Sequence, residues 1–173
     1  YSVDKKTMYL SGIFSRDPAM RKEEIHKTGF WRDGQVYKVD VATGVAEPFF
    51  ALPEDKVIST LKDRGTSSIG HVSANEYSAF HGVAVDSESN VFVCDRQNQR
   101  IVVLNKEGKI LREISLANPD AIAVNPKSKA IYVTTRFGNY HKKGSLDLVK
   151  FNDWSKDTAP SIVTPLCIYG MYP

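Results

Sequence analysis

Between Phe80 and Leu116 apolar and polar residues succeed one another in short, regular runs, and the rest of the chain can be laid against that stretch. Phe80 to Val85, Val91 to Cys94, Ile101 to Leu104 and Ile110 to Ile114 are apolar or β-branched and of strand length. Asp86 to Asn90, Asp95 to Arg100 and Asn105 to Gly108 separate them, and each is a cluster of the residues that make tight turns. The pattern predicts four consecutive antiparallel strands, which is one blade of a propeller.

The same pattern recurs on both sides. Ala123-Val124-Asn125 followed by Ile131-Tyr132-Val133 repeats Ala84-Val85-Asp86 followed by Val91-Phe92-Val93, and Ser2-Val3-Asp4 with Met8-Tyr9-Leu10 repeats it again. Asp86 and Asn125 are 125 − 86 = 39 residues apart, close to the roughly 40 to 45 residues of a four-stranded blade. Asp4 and Asp86 are 86 − 4 = 82 apart but enclose the strands of a single blade, so insertions fill the difference.

The expected organisation is therefore blade one over 1–52, a loop insertion over 53–79, blade two over 80–117 and blade three over 118–173. Blade one uses Tyr1 to Val3, Met8 to Phe14, Gln35 to Val41 and Val45 to Ala51. Its insertion, 15–33, predicts a surface helix with Asp17 as N-cap, Pro18 at the first position and Gly29 at the stop. In the second insertion Val57, Ile58 and Leu61 share a helical face, and the Gly- and Ser-rich remainder reads as loop. Blade three uses Asp120 to Val124, Ala130 to Thr135, Ser145 to Phe151 and Ser161 to Ile168. Three blades are fewer than the about four to eight that close a ring. The expectation is a portion of a six-bladed ring, its remaining blades supplied by a longer chain or by another subunit.

One run is more specific than the rest. Asp95-Arg96-Gln97-Asn98-Gln99-Arg100 ends a strand and is followed by an apolar strand and the turn at Gly108. In this Asp-Arg-x-Asn-x-Arg context the chain resembles the NHL-repeat β-propeller family. The resemblance implies an all-β fold of four-stranded antiparallel blades whose innermost strands line a central channel. It does not by itself imply a function, since propellers host enzymes and binding modules alike.

Composition narrows the classes. Of 173 residues 42% are hydrophobic and 25% charged, ordinary values for a packed domain. The 23 Lys and Arg against 20 Asp and Glu leave +3 with no basic block, which argues against nucleic acid, as does the lack of an aromatic–basic strip. No run of about 18 apolar residues predicts a membrane span. A secreted or periplasmic location is the expectation. The two cysteines, Cys94 and Cys167, close strands of different blades and are expected to stay separate thiols.

Candidate chemistry follows from the register. His81 and Asp120 open equivalent inner strands and are expected at the channel mouth, where imidazole and carboxylate are ligands for zinc or calcium; hydrogen-bonded polar side chains and water are the alternative there. Arg96 and Arg136 are equivalent too, and guanidinium groups on that face can anchor an anionic ligand. His71, in the long insertion, is a third candidate for ligand binding, whereas His26 and His141 read as surface residues. Asp95, Asn98 and Arg100 are expected to bond among themselves and fix a turn. No nucleophile elbow, phosphate loop or Cys/His cluster is present in sequence.

The chain is expected to act as a recognition scaffold for a protein or small-molecule ligand, through the face built by insertions 15–33 and 53–79 with Arg96 and Arg136. The alternative rests on a second resemblance. Around Phe80 to Gly108 the chain is similar to the peptidyl-α-hydroxyglycine α-amidating lyases, which implies His81 as a zinc ligand and Arg96 as the catalytic arginine. Blade three departs from that pattern, with Asp120 where a second histidine would stand.

Overall fold

A computed structural model describes residues 1–11, 34–53, 79–137 and 144–169. The helix expected between Asp17 and Gly29, the helical face of Val57, Ile58 and Leu61, and His26, His71 and His141 lie outside the described residues. Every regular element among the described residues is a strand: β1 (Thr7–Ser11), β2 (Gln35–Asp40), β3 (Ala46–Ala51), β4 (Phe80–Val85), β5 (Val91–Asp95), β6 (Arg100–Leu104), β7 (Ile110–Ser115), β8 (Pro119–Val124), β9 (Ile131–Phe137), β10 (Gly144–Phe151) and β11 (Ile162–Tyr169). They form three antiparallel meanders, β1-β2-β3, β4-β5-β6-β7 and β8-β9-β10-β11. The fold is all-β and of propeller type, with three blades among the described residues.

Blade one departs from its expected plan. Tyr1 to Val3 form no strand, so this sheet has three strands. Local hydrogen bonds hold the segment in a turn instead: the Ser2 hydroxyl donates to Asp4 Oδ1 at 2.6 Å, the Lys6 amide donates to the same oxygen, and the Lys5 amide donates to the Ser2 carbonyl. Serine and aspartate side chains that bond neighbouring backbone compete with strand ladders in this way.

The blades pack face to face, and blade two shows how. Val91, Val93, Val102 and Leu104 turn towards blade one and join Val36, Leu52 and Phe80 in one core. Their immediate neighbours Phe92, Cys94, Ile101 and Val103 turn the other way, onto Ile131, Val133, Val149, Phe151 and Trp154 of blade three. A strand alternates its side chains between two faces, so a strand covered on both faces reads as an unbroken apolar run. This is why β5 and β6 carry no polar alternation.

Two glycines set the distances between blades. A Cβ on Gly108, whose φ is +82°, would stand 2.5 Å from the Phe49 carbonyl oxygen of β3. A Cβ on Gly82 would stand 2.7 Å from the Asp120 carbonyl oxygen and 2.9 Å from the Ile122 nitrogen. The inner strands β4 and β8 therefore approach backbone to backbone, at the point where the candidate residues stand.

Candidate functional site

The site is built from two copies of one local irregularity. In β4, Phe80 stands opposite Asp95 and Val83 opposite Val93, so His81 and Gly82 together face the single position of Cys94. In β8, Pro119 stands opposite Thr135 and Ile122 opposite Val133, so Asp120 and Ala121 together face Thr134. An extra residue of this kind bends a strand and re-aims its side chains. The freed amides find equivalent acceptors: Gly82 N–H bonds the Cys94 sulfur, and Ala121 N–H donates to Thr134 Oγ1 at 3.0 Å.

Aimed in this way, His81 and Asp120 meet. Nδ1 of His81 stands 2.8 Å from Asp120 Oδ1. Because a carboxylate only accepts, the proton of this bond belongs to Nδ1. The His81 side chain is 8% exposed. Its other nitrogen, Nε2, is buried and has no hydrogen-bond partner among the described residues. The histidine backbone is tied as well, since the Ser11 hydroxyl at the end of β1 donates to the His81 carbonyl.

The two arginines enter from equivalent turns. The Arg96 amide donates to the Ala79 carbonyl just before β4, and the Arg136 amide donates to the Asn118 carbonyl just before β8. Arg96 lies immediately past β5, whereas Arg136 falls inside β9, which runs on to Phe137. Both side chains converge on Asp120: Arg136 Nε is 3.3 Å from Oδ2 and Arg96 NH1 is 3.6 Å from Oδ1. Arg96 NH2 also donates to the Arg136 carbonyl at 3.0 Å, which bridges blades two and three. At 14% exposure the Arg96 side chain is part of the cluster and not a solvated bystander.

Electrostatics follow from these contacts. The His81 hydrogen bond, and then the guanidinium charges of Arg136 and Arg96, hold the Asp120 carboxyl below its ordinary value, although partial burial opposes them. With a neutral imidazole the cluster carries two positive charges and one negative, 2 − 1 = +1. Such a site suits an anion.

The metal question turns on donor atoms. Asp120 has both oxygens engaged, one by His81 and one by Arg136. It orients the imidazole in the arrangement that carboxylates adopt behind histidine ligands. Nε2 of His81 is the donor atom here without a protein partner, and among the described residues no group of three or more His, Cys, Asp or Glu side chains is placed to hold a metal ion.

Neighbouring polar groups are structural. Asp95, buried at the end of β5, accepts from Asn98 Nδ2 at 2.8 Å and from Arg100 Nε at 2.8 Å, and Arg100 reaches on to Glu113. Cys94 is a free, buried thiol whose pKa burial pushes up to about 12, so it is neither nucleophile nor ligand at neutral pH. Sequence reasoning paired His81 with Asp120 through the repeat but missed that the arginines close on the same carboxylate. The Ala79 to Arg96 and Asn118 to Arg136 spacings were the available signal.

No family model matches the chain, and no curated protein matches it. Among solved structures 52 chains match. One is a luciferin-regenerating enzyme, 20% identical with a TM-score of 0.47 over 99% of this chain and 45% of that one. Another is a catalytically inactive virginiamycin B lyase from Staphylococcus aureus with quinupristin, 17% identical with a TM-score of 0.38 over 70% of this chain and 35% of that one. The chain thus spans less than half the length of each. No helix among the described residues is long and apolar enough to cross a membrane.

Proposed function

We propose that this chain is part of an NHL-type, six-bladed propeller that recognises a ligand at the mouth formed by β4 and β8, with His81, Arg96, Asp120 and Arg136 as the binding residues. The single observation that carries the reading is the buried Nε2 of His81, without a partner among the described residues, beside two guanidinium groups. A buried polar atom left unpaired is costly, and a ligand that pairs it recovers that cost. The extra positive charge favours an anionic group on the ligand. The ligand of this reading is a small molecule, or a protein that presents a side chain or a terminal carboxylate to the site.

The reading is tested by titrating the protein with a panel of small carboxylates, in wild type and in Arg136→Gln. Loss of a charge-assisted bond lowers affinity roughly tenfold or more. Equal affinities in the two proteins would remove the guanidinium from recognition and overturn the reading.

The orientation of His81 favours a second reading, a metal-dependent lyase of the amidating type. Nε2 of His81 would then be one ligand to zinc or calcium, Asp120 would orient the ring, and Arg96 would be the catalytic residue. Bound at Nε2, the metal would supply Lewis-acid chemistry. Elemental analysis of wild type and His81→Ala separates the readings: stoichiometric metal lost in the variant supports the lyase, and metal in neither leaves recognition.

A further inference from the structure

We infer that Gln99 is a positioning residue of this site: its side-chain amide ties the backbone that carries Arg96 to the backbone that carries Asp120 and Arg136. The inference rests on the recognition reading and names the group that holds the two guanidinium groups in register for an anion.

The argument starts from a side chain out of keeping with its backbone. Gln99 has φ +55°, in the left-handed region that glycine and asparagine adopt readily and other residues rarely. The turn does not need the glutamine side chain to close. The Gln99 amide nitrogen donates to the Arg96 carbonyl, and Asp95 fastens the same turn through Asn98 and Arg100. Yet the Gln99 side chain, on an exposed residue, is held at both ends of its amide. Nε2 donates to the Arg96 carbonyl at 2.7 Å, and Oε1 accepts from the Asn118 amide at 2.9 Å. Fixing an exposed glutamine costs rotamer freedom, and a strained backbone beneath it points to a requirement elsewhere.

Both ends lead to the site. Asn118, itself at φ +49°, stands two residues before Asp120, and its carbonyl accepts from the Arg136 amide at 3.1 Å. The Arg136 carbonyl in turn accepts from Arg96 NH2 at 3.0 Å. The path from Arg96 through Gln99, Asn118 and Arg136 therefore returns to Arg96, as a closed ring of hydrogen bonds across blades two and three. Two side chains span the blades in that ring, the Gln99 amide and the Arg96 guanidinium. Release of the first loosens the second, and with it the spacing of the positive charges around Asp120.

The test uses the full chain carrying Gln99→Gly or Gln99→Asn. Both replacements suit a left-handed backbone, and both delete the double contact, since asparagine is one methylene shorter. The side-chain N–H resonances of Arg96 and Arg136 are followed by NMR without ligand, assigned by their loss in Arg96→Gln and Arg136→Gln. In the two Gln99 variants, solvent exchange of the Arg96 Nη and Arg136 Nε protons is expected to accelerate about threefold to tenfold, as for the loss of one hydrogen bond. The amides of Val91 to Cys94 are expected to keep their rates. Acetate is expected to bind the variants about threefold to tenfold more weakly than wild type. In an Arg136→Gln background Gln99→Gly is expected to add nothing, because the two residues act as one unit.

Unchanged side-chain exchange in both variants overturns the inference and leaves Gln99 as a turn residue. Acceleration that extends equally to Val91 to Cys94 also overturns it, since that is lost stability, and so does an acetate loss that adds in full to that of Arg136→Gln. Failure of wild type to bind acetate, with side-chain exchange as expected, sinks the recognition reading and leaves Gln99 positioning the arginines.

Discussion

At the scale of single residues, the site depends on groups that do not touch a ligand. Gly82 is one. Any side chain there meets the Asp120 carbonyl, so Gly82→Ala forces β4 and β8 apart. Overpacking of this kind costs about 1–3 kcal/mol. The variant is expected to unfold at lower urea and to lose the His81 Nδ1–Asp120 bond, read as loss of the downfield imidazole proton. Retention of that proton with unchanged stability would show that the approach of the two strands does not position the histidine.

Cys94 is another. Its thiol is held near 12, well above the about 8.5 of a free cysteine. The folded state therefore keeps the proton over a range in which the unfolded chain has lost it. The sign is fixed by that order: the contribution is complete below about pH 8.5 and falls as pH rises towards 12. Wild type is expected to lose stability over this interval faster than Cys94→Ala, measured by urea denaturation at successive pH values. Parallel curves would show that the thiol ionises equally in both states. The repeat made the positions of His81 and Asp120 legible, because equivalent residues of equivalent strands face one way. The proton direction and the convergence of the arginines were not legible, since both depend on side-chain reach across blades.

At the scale of elements, alternation of apolar residues placed the eleven strands within a few residues of their bounds, with residues 12–14 of the first expected run outside the described residues. The unbroken apolar run of β5 and β6 gave the strands, while the covering of both faces emerged only from the packing of blade two between its neighbours. What the pattern hid were the irregularities opposite Cys94 and Thr134, because an extra residue leaves hydropathy almost unchanged while it turns a side chain to another direction. Tyr1 to Val3 misled for a related reason, as local bonds from Ser2 and Asp4 outweigh strand propensity. Turn positions were easier to read. Gly108 combines φ of +82° with a 2.5 Å approach to the Phe49 carbonyl, so Gly108→Ala faces both backbone strain and a clash with blade one. Strain of this type alone costs of order 1–3 kcal/mol. Gly44, at φ +72° with nothing near its missing Cβ, provides the control. Gly44→Ala is expected to show the strain alone, and Gly108→Ala a larger fall in the denaturation midpoint; equal falls would mean that blades one and two do not depend on the close approach.

At the scale of the whole molecule, cohesion comes from sheet faces, with blade two shared by its neighbours. Val102 and Val103 are adjacent and both fully buried, yet they belong to different interfaces, one against blade one and one against blade three. Truncation of either to alanine leaves a cavity, at a cost of about 1–3 kcal/mol by comparison with other buried aliphatic truncations. The outer strands are different, as Ile110 and Leu111 of β7 and Ile162, Val163 and Leu166 of β11 remain largely exposed. Opening should therefore begin at the outer strands and reach β5 and β6 last, since local stability follows buried apolar contact. Amide exchange is expected to be slowest for Val91 to Cys94 and Ile101 to Leu104, and fastest for β11 and β3. The two valine variants distinguish a sequential opening from a concerted one. If the blades separate in turn, Val103→Ala accelerates exchange in blade three without touching blade one, and Val102→Ala does the reverse. If either variant accelerates exchange uniformly across all three sheets, the blades open as one cooperative unit. The bond between Arg96 and the Arg136 carbonyl then lies within that unit, and ligand capture at His81 should slow exchange in blades two and three together.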